Sequence, residues 1–566
     1  MGSIIKKKIK NKNYYYYVES KRIDGKPKLV NQKYLGSAEK LLNIVLSSQE
    51  SLQDKVLYSH TTDFGSVTLL YDIALRLGII DIIDSILPKR KQGASIGSYI
   101  LTATINRAVS PTSTNRLQEW YSSTALPMLT GIKPSAFTPQ NFWNNTCITA
   151  KEVEMIEEAI LQKMLATYKI DTSHIIYDPT NFFTYIDTMK ECDLAKRGRC
   201  KHKRNDLRLV GLALMVTPNF SIPLLHDTYP GNLSDAKQFP VMISKLKSRY
   251  EAISGMDANV TVIFDRGNNS EDNIVELESG ETKFHYIGGL KKNQAEELFE
   301  IDRSEYTALT DSNLSGNTAY RTLKEVFGRV LTVLIVHNPE LENGQLQGIK
   351  LNKEKTTQKL MNIQENLMRR ANGEIKRGKK PTRESITSKV EKLLKVEYMK
   401  ELFSYEILES RGFFYLTFAY SEEALERVKD KWLGKTVLFT DREELTDEEI
   451  VNAYRSSWHV EYAFRQMKNT DHLTVRPIFK WTDEKINVHM LICVLAYRLC
   501  CLLVKELSEK GIEVNINKML DSMSEIKQIN TFFGMLDKPE KVKSFTVGND
   551  LAQQVEELYQ LKQKYS

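Results

Sequence analysis

"HIIYDPTNFF", residues 174–183, is where the chain changes character. The residues before it repeat apolar side chains at the helical period, as in "LLYDIALRLGIIDIIDSIL" and "KEVEMIEEAILQKMLATY". "HIIYD" instead reads as a short apolar strand ending in Asp178. Strand-type runs follow at "LRLVGLALMV" (207–216) and "SIPLLHDTYPGN" (221–232), then a helix at "DAKQFPVMISKLKSRYEAIS". "NVTVIFD" (259–265) is a fourth strand, "RGNNSEDNIVELESG" turns into a helix, and "KFHYIGGL" (283–290) is a fifth strand. Three strands, helix, strand, helix, strand predicts an α/β class with a mixed five-stranded sheet covered by helices.

Outward from that core the chain divides by composition. Residues 1–65 are read as an N-terminal β-hairpin segment, with Asp24–Gly25 as its turn. Residues 66–170 form a mostly helical domain, and 171–295 the first part of the α/β core. Residues 296–430 hold β-type runs ("EYTALT", "GRVLTVLIVHN", "GFFYLTFAY") around a basic helical stretch, the pattern of an inserted domain. Residues 431–510 return to the core, and 511–566 are read as a helical tail.

The net charge is only +7, but it is unevenly spread. Residues 350–400 carry 15 Lys or Arg against 6 Glu, so the rest of the chain sums to about −2. "KRGRCKHKRNDLR" (196–208) is a second basic cluster. Such clusters suit phosphates, although a solvated face or linker has the same composition. Six cysteines in 566 residues make no disulfide framework, and the basic, tyrosine-rich start is not a signal peptide, so a cytoplasmic protein is expected. Cys192, Cys200 and His202 are close in sequence at a spacing that fits no common zinc template. "VHMLICVLAYRLCCLLV" (488–504) is interrupted by His489 and Arg498 and is expected to be a buried helix, with no membrane partner.

Asp178 and Asp265 each follow a β-type run and precede turn residues. Either one alone reads equally well as a turn or helix cap. Together, on neighbouring strands, they repel unless a cation lies between them, and a third carboxylate would complete a set of hard oxygen ligands. "AYRSSWHVEYAFRQMK" (453–468) offers Glu461. Its helix starts with a capping box of Thr446 and Glu449. Tyr454, Glu461 and Lys468 are spaced by seven, nearly two turns, so they share one stripe. The plain alternative is an amphipathic helix in which Glu461 pairs with Arg465.

These segments resemble the DDE transposases of bacterial and archaeal insertion sequences, in particular the branch marked by Y-x2-R-x3-E-x6-K. Tyr454, Glu461 and Lys468 match that signature, "YDPTNFF" its first-aspartate segment and "VIFDRGNNS" its second. An insertion between the second and third acids is typical of the branch. The position of the signature arginine is Ser457 here. Arg465, one turn after Glu461, is expected to take over part of its phosphate contact.

The resemblance implies a ribonuclease H-like catalytic domain. Asp178, Asp265 and Glu461 would be the catalytic residues and ligands of two Mg²⁺ or Mn²⁺ ions, and Tyr454, Lys468 and Arg465 would contact DNA phosphates. It further implies double-stranded DNA partners, namely the inverted-repeat ends of the element and a target, a homodimer on DNA, and a hairpin intermediate. The helical domain would read the ends and the tail would be a candidate for dimerisation. Two other readings stay open: a catalytically silent DNA-binding regulator derived from a transposase, and a nuclease of the same fold.

Overall fold

The computed structural model describes residues 2–565 except 10–11, 24–25, 54–55, 88–92, 188–190, 199–203, 205, 255–258 and 536–537. The expected Asp24–Gly25 turn, and residues 199–203 and 205 of the 196–208 cluster, Cys200 and His202 among them, lie outside the described residues. At the N-terminus, β1 (Gly2–Ile9), β2 (Lys12–Ile23) and β3 (Lys26–Gly36) form a three-stranded antiparallel sheet, one strand more than a hairpin. The helix Ala38–Gln53 and strand β4 (Val56–Asp63) lead into the helical domain. Its principal helices are Gly65–Arg76, Ile96–Val109 and Ala150–Thr167. The last begins with a capping box between Thr149 and Glu152.

The five expected core strands all form: β5 (His174–Thr184), β6 (Arg208–Val216), β7 (Pro223–Pro230), β8 (Thr261–Phe264) and β9 (His285–Gly289). They belong to a sheet of nine strands rather than five. Strands β10 (Thr307–Ala308), β11 (Thr318–Val326) and β12 (Arg329–His337) join it, although their residues lie inside the segment read as an insertion. A separate hairpin, β13 (Phe403–Ser410) and β14 (Phe413–Tyr420), precedes β15 (Lys435–Thr440), which links β12 to β9. The order is β10-β11-β12-β15-β9-β8-β5-β6-β7. A run such as "RVLTVLIVH" needs partners for its backbone on both edges, and β15 and β11 supply them. Only the β9–β8 and β8–β5 pairings are parallel. The central strand β8, "TVIF", is buried at every residue, as a parallel strand covered on both faces must be.

A second hydrophobic core is built from elements that begin at Pro339. The helices Pro339–Ala371, Arg383–Leu394 and Glu422–Trp432 wrap the β13–β14 hairpin around Leu360, Val390, Leu402 and Leu433. Most Lys and Arg side chains of residues 350–400 lie on its exposed surface.

The apolar helix Asp483–Glu509 is long and apolar enough to cross a membrane, yet it is buried in the protein against the helical domain and β7. Arg498, only 1% exposed, has its partners inside: it donates to the carbonyls of Pro223 and Leu224 and to Glu157. The tail is not all helix. Strands β16 (Lys527–Met535) and β17 (Lys538–Phe545) form a hairpin, and β16 pairs with β4. The expected run of helix fails there because the β-branched and aromatic residues Ile529, Thr531, Phe532 and Phe533 suit a strand and β4 offers them an open edge.

Candidate active site

The parallel register places the two aspartates. Strands β5 and β8 pair from His174↔Thr261 to Tyr177↔Phe264. Asp178 and Asp265 are the next residue on each strand, so they emerge side by side where the parallel ladder ends. Strand β5 itself does not end at Asp178: it continues to Thr184 because β6 goes on pairing with it, Asp178 opposite Leu214. Asp265 precedes a short 3-10 turn at Arg266–Asn268, but its side chain makes no capping hydrogen bond there. The turn-cap reading thus applies to neither residue.

Glu461 arrives from across the sheet. The expected continuous helix is two helices, Asp447–Arg455 and Trp458–Gln466, joined at Ser456–Ser457. The capping box of Thr446 and Glu449 starts the first. At the junction the Ser456 hydroxyl donates to the Ala453 carbonyl at 2.5 Å, and backbone bonds tighten to the i→i+3 pattern, Ser457 N to Tyr454 O at 3.1 Å. Serines that bond back onto the preceding turn bend helices in this way. The second helix buries Val460, Ala463, Phe464 and Met467 against β5 and β6, which leaves Glu461, Arg465 and Lys468 facing out. His459 anchors it further: its Nδ1 lies 2.8 Å from the Ser221 hydroxyl, in the turn between β6 and β7. Burial lowers His459 to about 4, so the imidazole is neutral at physiological pH.

One open cavity of about 1020 Å³ is lined by Asp178, Asp265, Glu461, Ser457, Arg465 and Lys468 among others. Tyr454 reaches its edge, where the phenol donates to Asp265 Oδ1 at 3.2 Å. Burial and the Asp265 charge push the phenol well above its ordinary range, so it stays protonated. Lys468 donates to Thr180 Oγ1 at 3.0 Å. Glu461 forms no ion pair with Arg465 among the described residues; Arg465 instead lies over the Tyr462 ring, 5.2 Å from its centre. Arg455 points away and bonds the Asn313 carbonyl.

Two further residues at the cavity were not legible beforehand. Arg266 lines the cavity with its Nε 3.9 Å from Asp265 Oδ1, a second guanidinium in the lining besides Arg465. Gly289, in β9, allows Tyr454 to approach: a Cβ there would sit 2.5 Å from the Tyr454 oxygen. The paired glycines of "YIGGL" were the only hint, since Gly inside a strand often marks a close approach.

A divalent metal is the group this donor set suits. Its oxygens are all carboxylates, hard donors of the kind Mg²⁺ and Mn²⁺ take. The side chains share the cavity without closing into a cage: among the described residues, no three His, Cys, Asp or Glu groups converge tightly enough to hold a metal ion. Cys192 has a structural role, its thiol donating to Asp483 at 3.0 Å.

Two aspartates at the end of the β5–β8 parallel ladder and a helical glutamate thus surround one cavity. Residues 171–499 match the transposase DDE domain, and the chain belongs to that family. The match spans both aspartates, the insertion and Glu461. No curated protein matches the chain. Among solved structures it is similar to a piggyBac transposase synaptic complex with hairpin DNA, determined by cryo-EM, at 11% identity and a TM-score of 0.38 over 81% of this chain and 79% of that one.

Proposed function

We propose that this chain is a DNA transposase of the Y-R-E-K branch. It binds the inverted-repeat ends of its own insertion sequence, cleaves them and joins them to a target. The observation that carries this reading is the register of β5 against β8, which brings Asp178 and Asp265 out together beneath Glu461. These three carboxylates would hold the divalent ions, which when bound would supply Lewis acidity for breaking the phosphodiester.

The chain's own residues do the rest. Tyr454 keeps its proton and donates a hydrogen bond, either to Asp265 or to a phosphate oxygen that takes its place. Lys468, Arg465 and Arg266 surround the same cavity with positive charge and fix the phosphate in line. No nucleophilic side chain is required, since water opens the bond and the freed 3′-hydroxyl attacks the target. The exposed Lys and Arg of residues 350–400 contact the DNA backbone without reading sequence. Two copies act together, one at each end.

The test is a labelled duplex carrying the element end, incubated with Mg²⁺ or Mn²⁺ and a target plasmid. Asp178→Ala, Asp265→Ala and Glu461→Ala should each abolish nicking and joining while duplex binding persists. Cleavage retained in any one of them overturns the site. The open arrangement of the carboxylates favours one rival, DNA binding without catalysis. Tight binding by the wild type with no cleavage in either metal would establish that rival, and nicking without joining would establish a nuclease.

A further inference from the structure

A second cavity, of about 440 Å³, lies between the helical domain and the segment after Lys468. Two features set it apart. Trp143 and Trp481 stack across it with ring centres 4.4 Å apart and planes 25° from parallel. Around the stack stand Arg107, Arg476, Lys480 and Lys485, and none of these four cations forms an ion pair among the described residues. No Asp or Glu lines the cavity.

Simple packing would explain a buried tryptophan pair, but Trp143 is only half-buried and Trp481 is more open still. Trp481 is 44% exposed and its neighbour Phe479 54% exposed. Lys485 donates to Trp143, Thr146 and Cys147, but the two arginines keep an unmet donor. The Nε atoms of Arg107 and Arg476 are buried without a hydrogen-bond partner. Lys480 is pushed down to about 8 by burial and by the charges of Arg107 and Lys485, the mark of a positive cluster that lacks a counter-ion. An anion here would relieve that repulsion, and an aromatic group would cover the open ring faces. One ligand class has both properties.

We propose that this cavity binds an unpaired nucleotide of the DNA strand, its base stacked on Trp481 and Phe479 and its phosphate among Arg107, Arg476 and Lys480. A paired base is excluded because its faces are already covered by its neighbours in the duplex, whereas an unpaired base offers a free face to an aromatic ring. The site is joined to the carboxylates by β5. Thr184, at the far end of that strand, bridges Ile478, and Arg476 lies over the Phe182 and Phe183 rings. From Asp178 to Thr184 the strand covers about 20 Å, or about six nucleotide steps of 3.4 Å. The nucleotide therefore belongs to the DNA flanking the cleaved bond. This assignment rests on the strand-cleavage reading above.

The experiment measures binding of a short fluorescein-labelled single strand, and of the same sequence as a blunt duplex, by anisotropy with the full chain. Trp481→Ala should weaken single-strand binding on the order of tenfold, the size of one lost base–aromatic stack, and leave duplex binding unchanged. Trp481→Phe, which keeps a stacking face, should restore most of the loss. Lys480→Gln should lower the salt dependence of single-strand binding by about one ion. An unchanged thermal midpoint for Trp481→Phe and Lys480→Gln keeps the comparison meaningful even if Trp481→Ala is unstable. Single-strand affinity insensitive to all three substitutions, or equal losses on duplex, overturns the site. The two readings fail separately. A wild type that cuts element ends while these variants bind single strands normally removes only the nucleotide site. A wild type that never cuts, yet loses single-strand binding with Trp481, removes only the cleavage reading.

Discussion

Glu157→Ala should destabilise the protein more than any substitution at the candidate active site. Glu157 is 1% exposed on the helix Ala150–Thr167 and collects donors from three other elements. Arg249 Nη1 donates to it at 2.6 Å, Arg498 Nη2 at 3.3 Å and the His226 amide at 3.0 Å, and the His226 ring contacts the same carboxylate. Removing the carboxylate leaves two guanidiniums, with side chains only 6% and 1% exposed, without their counter-charge. Breaking one partner out of a buried ionic group costs about 3–5 kcal/mol, and Arg498 keeps the Pro223 and Leu224 carbonyls, so the lower half of that range is expected. Urea unfolding followed by tryptophan fluorescence measures it, with an unchanged slope confirming that the midpoint shift is stability alone. Burial opposes ionisation of Glu157, but His226, Arg249 and Arg498 outweigh it and hold the carboxyl well below its ordinary range. A depressed folded-state value means that the stabilisation is complete above the unfolded value of about 4.3 and is lost as pH falls below it toward the folded value. The wild type should therefore lose stability on acidification below about pH 4 more steeply than Glu157→Ala does. A cost under about 1 kcal/mol, or identical acid profiles, would refute the claim that this cluster joins the helical domain to the sheet.

Gly289→Ala should displace Tyr454 from Asp265 and lower cleavage roughly tenfold, the worth of one hydrogen bond, with duplex affinity intact; wild-type cleavage would show that Tyr454 does not need that position. Arg465→Ala should weaken end binding and reduce its salt dependence by about one ion, and wild-type binding and transposition would show that Arg465 does not replace the missing signature arginine. Changing Lys376, Arg377, Lys379 and Lys380 together to Gln should flatten the salt dependence of duplex binding by up to about four ions without changing end preference. An unaltered slope would place the DNA path away from the inserted unit.

Much of the site was legible because its pieces are local. A short apolar run that stops at an aspartate shows up in a sequence, and so does a capping box or a seven-residue spacing. The break at Ser456–Ser457 did not, since both serines keep right-handed helical angles and the tightened turn shows only in the Ser456 hydroxyl bond to Ala453 and in the i→i+3 backbone bonds. The Trp143–Trp481 stack was equally hidden, because its halves lie more than three hundred residues apart on segments with no shared pattern.

By itself the sequence determined which residues could do chemistry and the order of the core strands, since periodicity and turn residues act over a few positions. Tertiary structure alone decided which strands are neighbours. Strand β8 lies between β5 and β9, so Asp178 and Asp265 leave the sheet together, and β10, β11 and β12, from the segment read as an insertion, extend that sheet through β15. It also decided that "QINTFF" near the C-terminus closes onto β4 near the N-terminus. Strand pairing is a contest among all available edges, settled by burial and backbone hydrogen bonding across the whole chain, and no local window contains that competition.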